Sequence, residues 1–523
     1  MHSVTERMDP LRLGGGRLVA AGPVTVFVLV AVASALAGVG VVTPAAWGAI
    51  AVVLGAVLGV IGIAFLQARP RAALGFSFCL VLLADTKFRS RDATALLSGS
   101  LDAQIVFEMA MYGIIALIVL SVMLQLRHRQ GGALRLTSPE LAYFGYVLLA
   151  NVSVAWAPYT MVAAGRSIQL LILYALCFLA VRILGPGQLL RSLSFWTVAC
   201  TLLLALVALV FPWANGTRVP TEAELASGFA PSAFAWFAVH PGVVAIYAGS
   251  GCLMMLGEGL FVEARWQRRI AGVPLWWSCV PLTAILLATF SRTLIFSFAV
   301  GALTLLISRY LRRSVGGWLA AIVIVVLIAG LSSMVVSAVV SPSTMASRPE
   351  DLPPLTRYIL RGQTVEAFFG LSGRVELWKS IYELIRERPI FGYGYTATRS
   401  ALLEDFPWAG TAHGVLQEVL FNLGIVGALL LCFALARALL SAFVTPLQSR
   451  GSVAWVQGAV LAGLVFVLID SVTSEDIAGP ASYALLFFLS LLMIQGHLEA
   501  MVRQGRARGS PRVGSGDPMI SWV

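Results

Sequence analysis

The residues of this chain that could carry chemistry are few, and most fall in its second half. Near its end the sequence reads WAGTAHGVLQEVLFNLGIVG. His413 is a histidine whose ordinary pKa of about 6.5 lets it donate or accept a proton near neutrality. Glu418 follows little more than one helical turn later in an otherwise apolar stretch. A carboxylate there is costly unless used or satisfied. Glu418 therefore reads either as a catalytic carboxylate or as a packing carboxylate bonded to its neighbours. Asp470, Glu475 and Asp476, at another span end, are its rivals. Arg374 opens RVELWKSIYELIRERP. A cation at a helix N-terminus meets partial positive charge, which suggests an anion such as phosphate held between them; a solvated surface arginine is the alternative. Arg166 lies near the outer end of an apolar span, a depth at which a guanidinium needs an anion or carbonyl partner. His240, before Pro241, reads as a helix cap, and Lys87, Arg89 and Arg91 as surface charge or an anion-recruiting patch.

The elements that must position these groups are membrane helices. Hydrophobic residues make up 59% of the 523 positions and charged residues 12%, too little polar surface to clothe a soluble body of this size. Segments of about 20 apolar residues recur along the chain. The spans read 18–40, 44–66, 72–84, 105–126, 139–157, 165–183, 192–211, 241–259, 275–290, 293–311, 317–340, 414–436, 452–471 and 480–498. The fold expected is all-α, a polytopic transmembrane bundle of about 12–14 spans. Residues 1–340 hold about eleven spans, 341–413 form one long loop, 414–498 hold three more, and 499–523 form a basic, disordered tail. The first segment is too long, and too closely followed by a second, for a cleaved signal peptide.

Arginines alternate with the spans. With both termini in the cytoplasm, the inner connections are basic and the outer ones neutral or acidic, as at Glu475 and Asp476; the 85–103 loop departs from this. The 341–413 loop then faces outward from a cytoplasmic (inner) membrane. The net charge of +11 is spread between spans rather than gathered on one face, so nucleic acid is not an expected partner. The six cysteines all fall in apolar segments, which argues against a disulfide framework. Histidines and carboxylates show no metal-site spacing, and no metal or other cofactor is expected.

Within the loop, residues 374–388 form an amphipathic helix: Trp378, Ile381, Tyr382 and Ile385 share one face, and Glu376, Lys379, Glu383, Arg386 and Glu387 the other. Ser372 is its expected N-cap and Pro389 its stop, and it lies flat on the membrane surface or on the bundle. FGYGY, Phe391 to Tyr395, permits a tight turn and offers aromatics to an interface or a sugar face, so Tyr393 and Tyr395 are candidate glycan contacts, along with Trp378, Glu475 and Asp476. Gly424 and Gly427 lie on the stripe of His413 and allow close helix packing.

SGRVELWKSIYELIRERPIFGYGY followed by AHGVLQEVLFNLGIVG resembles the O-antigen ligase and polymerase superfamily of polytopic glycosyltransferases, most closely its exopolysaccharide-polymerase members. SRT at Ser291 to Thr293, and ANVSVAWAPYT followed by Arg166, extend the resemblance to roughly 145–480. It implies a donor glycan on a polyprenyl diphosphate such as undecaprenyl diphosphate, a glycan acceptor, a bilayer setting, and chain-length or export proteins as partners. It also implies metal-independent transfer in which Arg292, Arg374 and His413 bind the diphosphate or assist its departure; Arg166, read from its depth in the span, is a further candidate to bind the diphosphate. The family usually has Asn after this histidine, where this chain has Gly414, so His413 stands as diphosphate binder or as acid/base. Polymerisation of repeat units is the first expectation and ligation to a lipid or protein acceptor the second. A transporter or flippase is the third, although the chain lacks the related halves a transporter would show.

Overall fold

The computed structural model describes residues 69–88, 103–129, 136–217, 233–263, 267–270, 272–310, 374–402, 406, 410–444 and 452–507. The spans read at 18–40, 44–66 and 317–340 lie outside these residues, as do Arg89, Arg91, Ser372 and the first part of the long loop. The other eleven spans each overlap a helix. Among the described residues, seven helices are long and apolar enough to cross a membrane.

Helices α1 (Pro70–Ala84), α2 (Ala103–Arg129) and α3 (Ser138–Val152) come first, followed by α4 (Thr160–Val210), α5 (Pro241–Phe261), α6 (Cys279–Ala288) and α7 (Arg292–Tyr310). The loop region supplies α8 (Arg374–Glu387) and α9 (Thr398–Leu402). The chain then returns through α10 (Val415–Val444), α11 (Ser452–Ser471) and α12 (Tyr483–Ala507). Their starts are written locally. Glu140 reaches back to accept the Thr137 N–H at 2.7 Å, the carboxylate half of a capping box. Pro241 opens α5, and His240 caps it by accepting the Gly242 N–H at 3.1 Å, as the sequence suggests.

Two helices are broken by glycine. As one rod, the 51 residues of α4 would be far longer than a bilayer is thick. At Gly185 the backbone leaves the helix (φ 76°, ψ 162°) ahead of Pro186. Cys177 then meets Ser490 while Thr197 meets Tyr483, so residues that a straight helix would hold about 30 Å apart lie against positions of α12 only about two turns apart. The chain has turned back, and the two expected spans are the arms of that turn.

The second break corrects the sequence reading. Gly424, taken there as a packing glycine within a continuous span, interrupts α10 at φ 65° and ψ −163°. Residues 389–394 occupy the gap. Tyr393 and Gly394 donate their N–H groups to the carbonyls of Phe421 (2.9 Å) and Asn422 (2.8 Å), and the N–H groups of Ile425 and Val426 reach the carbonyls of Pro389 (2.8 Å) and Ile390 (3.3 Å). The helix freed these groups at its break, and the FGYGY turn takes them up, as apolar surroundings require.

The bundle wraps around α12, whose Leu485 to Leu489 and Leu491 to Ile494 are fully buried. That first half of the helix is apolar nearly all round, as a central segment must be. The helix runs to Ala507, into the stretch expected to be disordered tail. Leu429, Phe433 and Leu440 of α10 and Leu209 of α4 are exposed on the outside, where lipid would cover them. Arginines cluster at one end of the bundle: Arg182 pairs with Glu140 at 2.7 Å, Arg437 with Glu499 at 3.0 Å, and Arg268 with Glu258. The opposite end carries Arg292, Arg374 and His413.

A Cβ on Gly424 would lie 2.2 Å from the Ile390 carbonyl oxygen, in a backbone conformation that costs other residues about 1–3 kcal/mol by itself. Gly424→Ala should therefore lower the melting temperature of the detergent-solubilised protein clearly, whereas Gly113→Ala, at a glycine with open space around it, should leave it near wild type. Equal melting of the two variants would contradict the proposed role of the break.

Candidate active site

The site is assembled from three connections at the arginine-poor end. The first joins α6 to α7. The Thr289 hydroxyl donates to the Leu286 carbonyl at 2.6 Å, Phe290 takes a left-handed backbone (φ 51°), and Arg292 is the first residue of α7. The turn is too short to let Arg292 wander. The second is the 472–482 connection after α11, where the Thr473 hydroxyl donates to the Thr293 hydroxyl at 3.2 Å and ties this loop to the residue after Arg292. Ser474 donates to the Asp470 carboxyl at 2.8 Å.

The third is the loop helix. α8 lies on α9 and the first part of α10 rather than flat on a membrane surface: Leu377, Ile381 and Ile385 are buried with Ala397, Leu402, Ala412 and Phe421. Leu377 thus belongs to the buried stripe, while Tyr382 is left on the exposed side. This packing fixes Arg374, half-buried at the start of α8, beside the third connection's other end. There the chain re-enters α10 through His413, whose φ of 48° is left-handed. A non-glycine residue held there costs on the order of 1 kcal/mol, so the surrounding structure must impose it.

Electrostatics couple the second and third connections. Burial pushes the Arg374 guanidinium below its ordinary range, and Glu475 and Asp470 oppose that shift. Burial lowers the His413 pKa, the positive charge of Arg374 acts the same way, and Glu475 works against both. The balance favours the neutral imidazole over the imidazolium. Burial and the adjacent Asp470, to which it is hydrogen-bonded, push Asp476 well above the usual carboxylate range. Arg374, His413, Glu475, Asp470 and Asp476 thus form one constellation, with Arg292 beside it through the Thr293–Thr473 contact.

The other expected site residues are placed differently. Glu418 is 2% exposed and turned inward. Its Oε1 accepts from Asn422 at 2.7 Å and Thr398 at 3.0 Å, and its Oε2 from the Ala412 N–H at 2.8 Å. Trp378 donates its indole N–H to the Ala412 carbonyl at 2.9 Å. Tyr393 stacks on Phe421 with ring centroids 4.7 Å apart and donates to Glu387 at 2.7 Å. Tyr395 is buried, donating its hydroxyl to the Gly479 carbonyl at 2.7 Å and its N–H to Ser153 at 2.9 Å. It joins the loop to two connections of the bundle and offers no face to a glycan, which corrects that expectation. Arg166 is paired with Glu108 of α2 and bonded to Gln169 at 3.0 Å, so its partner is a carboxylate of this chain. Sequence reasoning passed over Glu108, though it is the lone acidic residue of α2. It also passed over Thr398 and Asn422; Asn422 stands one turn after Glu418, the spacing of a helical partner. Among the described residues, no group of three or more His, Cys, Asp or Glu is arranged to hold a metal ion.

Residues 277–432 match the family model described as O-antigen ligase. The match covers 156 of the 523 residues and makes this stretch similar to that family. It takes in Arg292, Arg374, His413 and Glu418, and stops before Asp470, Glu475 and Asp476. A search of curated proteins finds no match. Family members are enzymes acting on lipid-linked glycans, and the seven apolar helices agree with a multi-pass membrane protein of that kind.

The two charges facing His413 give opposite expectations. Replacing Arg374 by Gln should raise the His413 pKa, and replacing Glu475 by Gln should lower it, as read by NMR titration of histidine-labelled protein in detergent. The same direction in both variants would break the constellation apart.

Proposed function

We propose that the protein transfers glycan from a polyprenyl diphosphate at the extracytoplasmic face of the cytoplasmic membrane, polymerising the repeat units of a surface polysaccharide. The observation that carries this is the coupling of Arg374 and His413 to the 472–482 connection, which is itself bonded to the turn that carries Arg292. These are two arginines and one histidine, drawn from distant parts of the sequence to one end of a membrane bundle.

The chemistry fits what these groups can do. The glycosidic carbon–oxygen bond to the diphosphate breaks as a new bond forms to an acceptor hydroxyl. The diphosphate gains negative charge while the anomeric carbon becomes positive. Preorganised guanidinium groups stabilise the leaving charge, and the planar fork of arginine suits two phosphate oxygens at once. His413, favoured as the neutral imidazole, either donates its ring N–H to the diphosphate or takes the acceptor's proton. Glu475 stands within electrostatic reach of it and can balance the imidazolium that results. The residues supply this chemistry without a metal ion. Ligation of finished glycan to a lipid or protein acceptor uses the same donor chemistry and is favoured by the description of the matched family, O-antigen ligase. Chain-length and export proteins are the partners such a polymerase would work beside.

Arg292→Ala, Arg374→Ala and His413→Ala should each abolish polymer while the protein stays folded in the membrane, and wild-type activity on purified lipid-linked glycan should survive a chelator. Normal polymer from all three variants would sink the assignment. Deletion separates the two readings: loss of a polymerase leaves single repeat units on the carrier, and loss of a ligase leaves long unattached chains there. Sidedness is tested at Lys379, on the exposed face of α8: in intact cells, Lys379→Cys should react with a membrane-impermeant maleimide, and protection until lysis would reverse the orientation.

A further inference from the structure

We propose that Glu418 and Trp378 are positioning residues: between them they clamp the Ala412 peptides and so aim the imidazole of His413. The inference rests on the function proposed above and assigns to Glu418 a role other than proton transfer.

Glu418 is poorly placed to serve as a base. Both its oxygens are taken, Oε1 by the side chains of Asn422 and Thr398 and Oε2 by the Ala412 N–H at 2.8 Å, and it is buried beneath the turn. What it holds is the backbone one residue before His413. Trp378 holds the other side of the same residue, its indole N–H reaching the Ala412 carbonyl at 2.9 Å. Ala412 is thus gripped at its N–H by α10 and at its C=O by α8. The Ala412 carbonyl belongs to the peptide that leads into His413, so the Trp378 bond sets the plane from which that side chain departs. This explains how His413 is kept at φ 48°, a conformation it would leave if the grip were released.

The clamp also has a foundation. Thr398 donates its N–H to the Asn422 side-chain carbonyl at 3.1 Å, and the Asn422 backbone carbonyl accepts from Gly394 at 2.8 Å. Glu418 is therefore fixed by the same segment that fills the break in α10. Catalysis is sensitive to such support, because a displacement of about 1 Å at a reacting group can cost two orders of magnitude in rate.

The test uses full-length protein in detergent or nanodiscs, with polyprenyl-diphosphate-linked glycan as substrate. Trp378→Phe keeps the ring and removes only the donor. Its kcat should fall about tenfold, with a smaller change in KM for the donor, whose diphosphate Arg292 and Arg374 still hold. Glu418→Gln should behave alike. Tyr382→Phe removes another hydrogen bond between α8 and α10, that from Gln417 to the Tyr382 hydroxyl, without touching Ala412, and should leave kcat unchanged. A second readout is independent of turnover. The chain has five histidines, and selective 15N-histidine labelling lets His413 be titrated. In Trp378→Phe its pKa should move up toward 6.5 as the turn opens to water, with Arg374 and Glu475 still in place. Wild-type kcat and an unmoved His413 titration in Trp378→Phe would overturn the clamp. An equal loss in Tyr382→Phe would also overturn it, by showing a general need for α8 packing. If the wild-type protein consumes no lipid-linked glycan, the functional reading fails, and the titration still decides whether the clamp exists.

Discussion

An α-helix that breaks within apolar surroundings leaves carbonyls and N–H groups with no water to take them, and each such group costs several kcal/mol. α10 breaks at Gly424, and the backbone of residues 389–394 pairs with both sides of the gap. Much of the site depends on that one exchange. It seats the end of the long loop inside the bundle, brings α8 down onto α9 and the first part of α10, and sets Arg374 against the turn that carries His413. A loop tethered only by side chains on a lipid-facing surface would have no comparable registration.

The break divides α10 into two parts with different tasks. The part beyond Gly424 is long and apolar, with Leu429, Phe433 and Leu440 on its outer surface. The part before it carries polar groups on its inner side, Glu418 and Asn422, which would be costly in a continuous span and are here satisfied by α9 and the His413 turn. Charge is handled in the same economical way elsewhere in the bundle: Arg166 meets Glu108 and Arg268 meets Glu258, so that cations within or beside the spans have carboxylates to face. Arg374 differs in degree, because its carboxylates, Glu475 in the connection after α11 and Asp470 in the last turn of that helix, also bear on each other, and Glu475 bears on His413 as well.

Much of the fold was legible because hydropathy needs only composition along the chain. The spans from 72 to 311 and from 414 to 498 could be read that way, as could the amphipathic helix at 374–388, since 3.6-residue periodicity is local. Two features were not legible, for the same reason. Gly424 looks like any small residue on a helical stripe, and only the approach of Ile390 from the distant loop shows that it marks a break. Tyr395 looks like an interfacial aromatic, and only its bond to Gly479 shows that it points inward. The grouping of Arg374 with His413 rested on family likeness, because nothing in their spacing requires them to meet. Glu475 is one of several carboxylates that sequence position alone cannot rank, since electrostatic reach depends on how connections from distant parts of the sequence are stacked.

The glycines at the break carry a further consequence, for how such a site evolves. A Cβ on Gly392 would fall 2.4 Å from the Phe421 carbonyl oxygen, one on Gly394 2.6 Å from the Ala157 Cα, and one on Gly424 2.2 Å from the Ile390 carbonyl oxygen. In each case the obstructing atom is main chain, which is the same whatever residue occupies the position. No compensating substitution across the contact can restore the space. These positions would be silent to any search for correlated substitutions between residues, even though they form one of the closest contacts between the loop and the bundle. They would show only as glycines that persist together or disappear together with the seat they form.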